Sequence, residues 1–70
     1  MAKIERRKHK PMYKLLCVRK SQGITQKDLA ERCGLDTASV VAYENGYWLP
    51  KLSTLQKLAT ALNCNVADIV

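Results

Sequence analysis

Few side chains in this chain could hold or transform a ligand, and their spacing narrows what they can do. The cysteines, Cys17, Cys33 and Cys64, form no Cys-x-x-Cys pair, and the single histidine, His9, lies apart from them in a polar N-terminal stretch. A structural zinc site needs close-set thiolates and imidazoles, so no metal is expected. An odd number of cysteines also argues against a closed disulfide framework. No nucleophile stands near a base, no carboxylates pair, and no glycine-rich loop is present to cradle a phosphate. The chain is therefore not expected to be an enzyme, and no cofactor or small-molecule ligand is expected. What remains is the chemistry of charge and of one helix face.

The charge is unevenly placed. Residues 1–20 carry eight Lys/Arg against Glu5, a net of +7, whereas residues 21–70 carry four Lys/Arg against five Asp/Glu, a net of −1. A basic end on a near-neutral body suits a polyanion met at one end or on one face. Residues 1–10, MAKIERRKHK, show no apolar periodicity and read as a basic flexible arm, either a phosphate- or groove-binding element or a solvated tail. No apolar run reaches membrane-spanning length and nothing resembles a signal peptide, so a cytoplasmic protein, nucleoid-associated when bound, is the expectation.

The elements that must position any site are short helices. With no Phe and one Trp, the core must be mostly Leu, Val and Ala, which suits helices better than a sheet. Pro11 can open a first helix that runs to about Gln22 and stops at Gly23. On a helical wheel Met12, Leu15, Leu16 and Val18 share an apolar arc, while Lys14, Cys17, Lys20 and Ser21 lie opposite. Arg19 falls inside the apolar arc and so needs an acidic partner. Among the few acids, Glu44 is the candidate.

The stretch Thr25–Gly46, TQKDLAERCGLDTASVVAYENG, reads as two helices around a tight turn. Thr25 and Asp28 have capping-box spacing, which leaves the Gln26 amide free in the first turn. Leu29, Ala30 and Cys33 face inward, Gly34 stops the helix, and Asp36 caps the next one. That helix, about Thr37 to Glu44, turns Val40 and Tyr43 inward and Thr37, Ala38, Val41 and Ala42 outward. Asn45-Gly46 ends it. Leu52, Leu55, Leu58, Ala59 and Leu62 then define an amphipathic helix, with Ser53 as a candidate cap, and Asn65 with Asp68 can cap a last short one. The expected fold is all-α: five short helices in one domain over residues 11–70.

The order Leu15-x-x-x-Arg19, Gly23-Ile24-Thr25-Gln26-x-x-Leu29-Ala30, Gly34-Leu35, Val40, Tyr43-Glu44-Asn45-Gly46, Pro50, Leu55-x-x-Leu58-Ala59-x-x-Leu62 resembles the phage-repressor and Cro-like (Xre-type) helix-turn-helix family. The resemblance covers about residues 11–70 and implies a lambda-repressor-like domain. It implies binding to double-stranded DNA, usually as a homodimer, with the helix matching Thr37–Glu44 in the major groove. It places Thr37, Ala38, Val41 and Ala42 toward base edges. Gln26, Asn45 and Lys51 match phosphate-contacting positions, with Gln26 also able to brace the recognition helix. Lys27 and Ser39 are the further phosphate candidates. The family's inward ion pair matches Arg19 and Glu44.

The reading face departs from the family's habit. Where relatives often present Gln, Arg, Lys or Asn, which fork onto bases, this chain offers only Thr37 as a hydrogen-bonding group. Modest direct readout is expected, resting on thymine methyls or on DNA shape. Trp48 and Leu49 match a loop near the dimer seam of relatives. A loop tryptophan ordinarily folds back over its own core, and that is the expectation here, with a two-fold contact as the alternative. The rival to DNA binding is a small protein-interaction or antitoxin-like adaptor, for which an apolar helix face would serve.

Overall fold

Each turn of the chain is closed by hydrogen bonds between near neighbours. The computed structural model describes residues 9–70, which form α1 (Tyr13–Ser21), α2 (Gln26–Cys33), α3 (Thr37–Asn45) and α4 (Leu52–Ala61), followed by a single 3-10 turn, Val66–Asp68. The expected fifth helix is therefore only this turn, although its Asn65 N–H does donate to the Asp68 carboxylate at 2.9 Å. Three helical residues cannot propagate a cooperative helix, and the turn persists because Ile69 behind it is fully buried.

The first helix begins two residues later than the proline suggested. Tyr13 N–H bonds to the Pro11 carbonyl, and Met12 has non-helical ψ, so Pro11 belongs to the segment leading in. At the other end Gln22 Nε2 donates to the Leu62 carbonyl at 2.6 Å, joining the ends of α1 and α4.

The capping box of α2 forms as the spacing predicts. Asp28 N–H donates to Thr25 Oγ1 at 3.0 Å, and Thr25 N–H donates to the Asp28 carboxylate at 3.3 Å. Gly34 closes α2 in the left-handed region, with φ +69°, and Leu35 N–H returns to the Ala30 carbonyl at 2.8 Å. Asp36 precedes α3 with extended backbone, but its side chain makes no cap bond; only its carbonyl takes part, accepting from Ser39 and Val40 N–H. Likewise Lys51, not Ser53, is the residue before α4, again without a side-chain cap.

The core draws on every helix. Leu15, Leu29, Val40, Leu58, Leu62 and Ile69 have no appreciable exposure, and Ala30 and Ala59 are small enough to lie buried among them on α2 and α4, which pack together. Burying each leucine contributes roughly 1.5–3 kcal/mol. Cys33 is buried, with its thiol donating to the Lys57 carbonyl at 3.6 Å, while Cys64 is half-buried against the core and Cys17 is exposed. All three thiols are free.

Candidate nucleic-acid interface

The site begins with a buried charge. Arg19 enters the core from α1, where its Nε donates to Glu44 Oε2 at 2.7 Å and its Nη2 to Glu44 Oε1 at 3.2 Å. Its Nη1 donates to the Ile24 carbonyl at 2.8 Å. Both side chains are nearly sealed, 8% and 3% exposed. A guanidinium matches a carboxylate by this two-point geometry, and a pair so deeply placed survives only when its remaining polar atoms are bonded. Among the described residues no buried side-chain nitrogen or oxygen lacks a partner. The pair deduced from the helical wheel thus stands.

Gln26 completes the network. Its Nε2 donates to Glu44 Oε1 at 2.9 Å, so the amide left free by the capping box braces α3 as the resemblance implies, and one carboxylate at the end of α3 is gripped from α1 and α2 together. This sets the roll of α3 about its axis. The sequence held the signal, an amide in the first turn of α2, but its partner lies on the next helix.

With its back face pinned, α3 presents Thr37 and Ala38 to solvent, with Ser39 and Val41 half-exposed. Ala42 does not join them: it is only 8% exposed. The chain turns back at Gly46, where both Tyr47 and Trp48 N–H reach the Ala42 carbonyl, at 2.9 and 3.4 Å; the helical wheel alone turns this residue outward. Lys27 is exposed at the start of α2, Lys51 is exposed ahead of α4, and Asn45 is half-buried at the end of α3.

Trp48 also differs from expectation. The residue stays 54% exposed, its ring meeting Tyr43 edge-on with centroids 6.3 Å apart, and it does not close over the core. Leu49, Leu52, Tyr13 and Val70 are exposed as well. Leu49, Tyr13 and Val70 line one groove with Pro11, Met12 and Leu55. Among the described residues no cluster of His, Cys, Asp and Glu could hold a metal ion, and no helix is long and apolar enough to cross a membrane.

Two helices joined through a left-handed glycine, the second presenting an exposed face with its back locked into the domain, define a helix-turn-helix module. The chain belongs to the helix-turn-helix family HTH_3, whose model matches residues 18–69. It is 40% identical over 50 residues to a hypothetical transcription factor of Neisseria meningitidis serogroup B, covering 71% of this chain and 47% of that protein. It is 41% identical over 44 residues to an uncharacterized HTH-type transcriptional regulator of Methanothermobacter thermautotrophicus, covering 63% and 64%. The chain thus spans about half to two thirds of the length of these relatives. The restriction-modification controller protein C.AhdI from Aeromonas hydrophila has a similar structure, with a TM-score of 0.78 at 33% identity, over 81% of this chain and 86% of that one. These proteins are named as regulators and none as an enzyme, in agreement with the non-catalytic reading of the sequence.

Proposed function

We propose that the protein is a DNA-binding transcription regulator that docks α3 in the major groove, acting as a homodimer. The observation that carries this reading is the Arg19–Glu44–Gln26 network, which spends three side chains on holding one exposed helix face in a fixed orientation. In this reading Thr37, Ala38 and Val41 meet base edges, and the buried Ala42 is excluded from them. Gln26, Lys27, Ser39, Asn45 and Lys51 meet phosphates. Gln26 then has two tasks, since one of its amide hydrogens is already committed to Glu44.

The reading face has one hydroxyl and otherwise methyl groups, so thymine methyls are its natural targets. The test is selection of bound duplexes from a random pool at moderate salt. A site enriched in thymine at contacted positions, and weakened when uracil replaces those thymines, supports the reading; recovery of no site removes it. The dimer is supported by the exposed Tyr13, Leu49 and Val70, which line one groove together with Pro11, Met12 and Leu55. In sedimentation, Leu49→Lys should lower the dimer fraction while leaving the melting transition of the monomer intact.

The scarcity of polar atoms on α3 favours one alternative, a protein-binding adaptor or antitoxin-like module. Salt separates the two. DNA affinity falls log-linearly with salt, with a slope of about −0.9 per phosphate neutralised, whereas an apolar protein contact is nearly indifferent.

A further inference from the structure

The groove beside the start of α1 is apolar in its body and cationic in its charge. It encloses about 480 Å³ and is lined by Pro11, Met12, Tyr13, Leu49, Leu55 and Val70. The remaining lining residues are His9, Lys10 and Lys14, so among the described residues the groove holds two lysines and no acid. Both lysines are exposed, and the one ion pair of the described residues, Arg19–Glu44, lies elsewhere. One wall is fixed in place. His9 N–H donates to the Gly46 carbonyl at 3.0 Å, and Tyr13 N–H donates to the Pro11 carbonyl at 3.0 Å. The backbone crosses Gly46 so closely that a Cβ there would collide with the His9 carbonyl oxygen. The Pro11 ring holds its own φ, which stiffens the wall further.

A two-fold contact sets the same patch against itself. A patch whose charged side chains are all cationic cannot pair them across such a seam. Closing two copies over Lys10 and Lys14 would bring together two ammonium groups from each copy and strip water from them, which is costly unless an anion meets them. Small-molecule sites of roughly 300–1,000 Å³ combine an apolar lining with a few convergent polar groups. This groove has that size and that lining, and its polar groups are cations. We propose that the groove binds an amphipathic anion, a carboxylate with an apolar body, and that the second copy closes over it. The body lies against Met12, Leu49 and Leu55, and the carboxylate meets Lys10 and Lys14. The ligand supplies the negative charge that the seam lacks, so the dimer forms when the ligand is present. A wall already held by Gly46 needs little ordering to receive it. Closure by the second copy rests on the dimer reading above; the anion site does not.

The test uses octanoate on the full chain at constant ionic strength. Acetate serves as a head without a body, and octanol as a body without a head. Sedimentation gives the dimer fraction, and NMR follows the methyl resonances of Met12, Leu49, Leu55 and Val70. Octanoate should shift those resonances and tighten dimerisation about tenfold, the scale of a few exposed ion pairs. Acetate and octanol should do much less. Lys10→Gln combined with Lys14→Gln should dimerise without octanoate and stop responding to it, because the repulsion and the partners of the head are lost together. Without octanoate, the parent dimer should tighten as salt rises, since salt screens like charges. Groove methyls that do not shift overturn the inference. So does tightening by acetate equal to that by octanoate, which is charge screening alone. An equal response to octanol, or a double variant that responds as the parent does, overturns it as well. Methyl shifts with a loosened dimer mean that the ligand displaces the second copy, and overturn the closure. Methyl shifts in a parent that stays monomeric throughout uphold the anion site and sink the second-copy reading instead.

Discussion

At the scale of the residue, Glu44 has more to lose than any other side chain. It accepts from Arg19 twice and from Gln26 once, and it is almost sealed from water. Glu44→Ala leaves a buried guanidinium without its counter-charge, so a loss of about 3–5 kcal/mol is expected, visible as a lower denaturation midpoint. A melt matching the parent would show that the pair is not holding the fold. Thr37→Ala should relax base preference at one position with little change in stability, because Thr37 is exposed. Lys51→Ala should instead weaken all duplexes alike; the opposite pattern would mean that the docking is misassigned. The thiols also differ. Cys17 should react with a thiol reagent well before Cys33. Burial pushes the Cys33 thiol up from 9.0, against a smaller pull from Lys57. The unfolded chain therefore ionises first, so the stability associated with neutral Cys33 is complete below pH 9.0 and is lost as pH rises through and beyond it. Cys33→Ala should flatten the alkaline limb of a stability-versus-pH curve.

At the scale of the element, what the sequence discloses depends on how far apart the partners lie. Thr25 and Asp28 are neighbours on the chain, and their spacing alone announces the capping box. Arg19 and Glu44 are distant, yet a cation inside an apolar arc demands an acid, and a near-neutral body offers few. Ala42 was not legible, because its helical angle says outward, whereas in the folded domain it is buried. The crossing of the His9–Pro11 backbone over Gly46 was not legible either, since a backbone-to-backbone bond from His9 to Gly46 leaves no trace in side-chain periodicity. The same contrast separates two glycines. Gly34 and Gly46 both sit at positive φ, but a Cβ at Gly34 meets nothing within 4 Å. Gly34→Ala should cost about 1–2 kcal/mol from backbone strain alone, and Gly46→Ala should cost more, because its Cβ would collide with the His9–Pro11 backbone, which must also move. Chemical denaturation of the two variants side by side decides this; equal losses would show that the His9–Pro11 backbone yields freely.

At the scale of the whole molecule, two surfaces divide the work. In the proposed function the exposed Lys27, Thr37 and Lys51 address a polyanion, and the groove lined by Leu49, Tyr13 and Val70 receives a second copy. If the groove is covered in a dimer, the melting temperature should climb with protein concentration, as it does for any partner that binds only the folded state. A concentration-independent transition would leave the groove bare.

The bond from Gln22 to the Leu62 carbonyl has a consequence for how the domain breathes. It joins the last turn of α1 to the last turn of α4, the beginning and end of the helical body. Terminal helices ordinarily fray on their own, each amide exchanging its hydrogen at a rate set by local opening. Here the closing turns of α1 and α4 are stapled to each other, so their amides should share one opening rate in deuterium exchange. Gln22→Ala should split that rate in two and release α4 first, while α3, held by Glu44, keeps its protection.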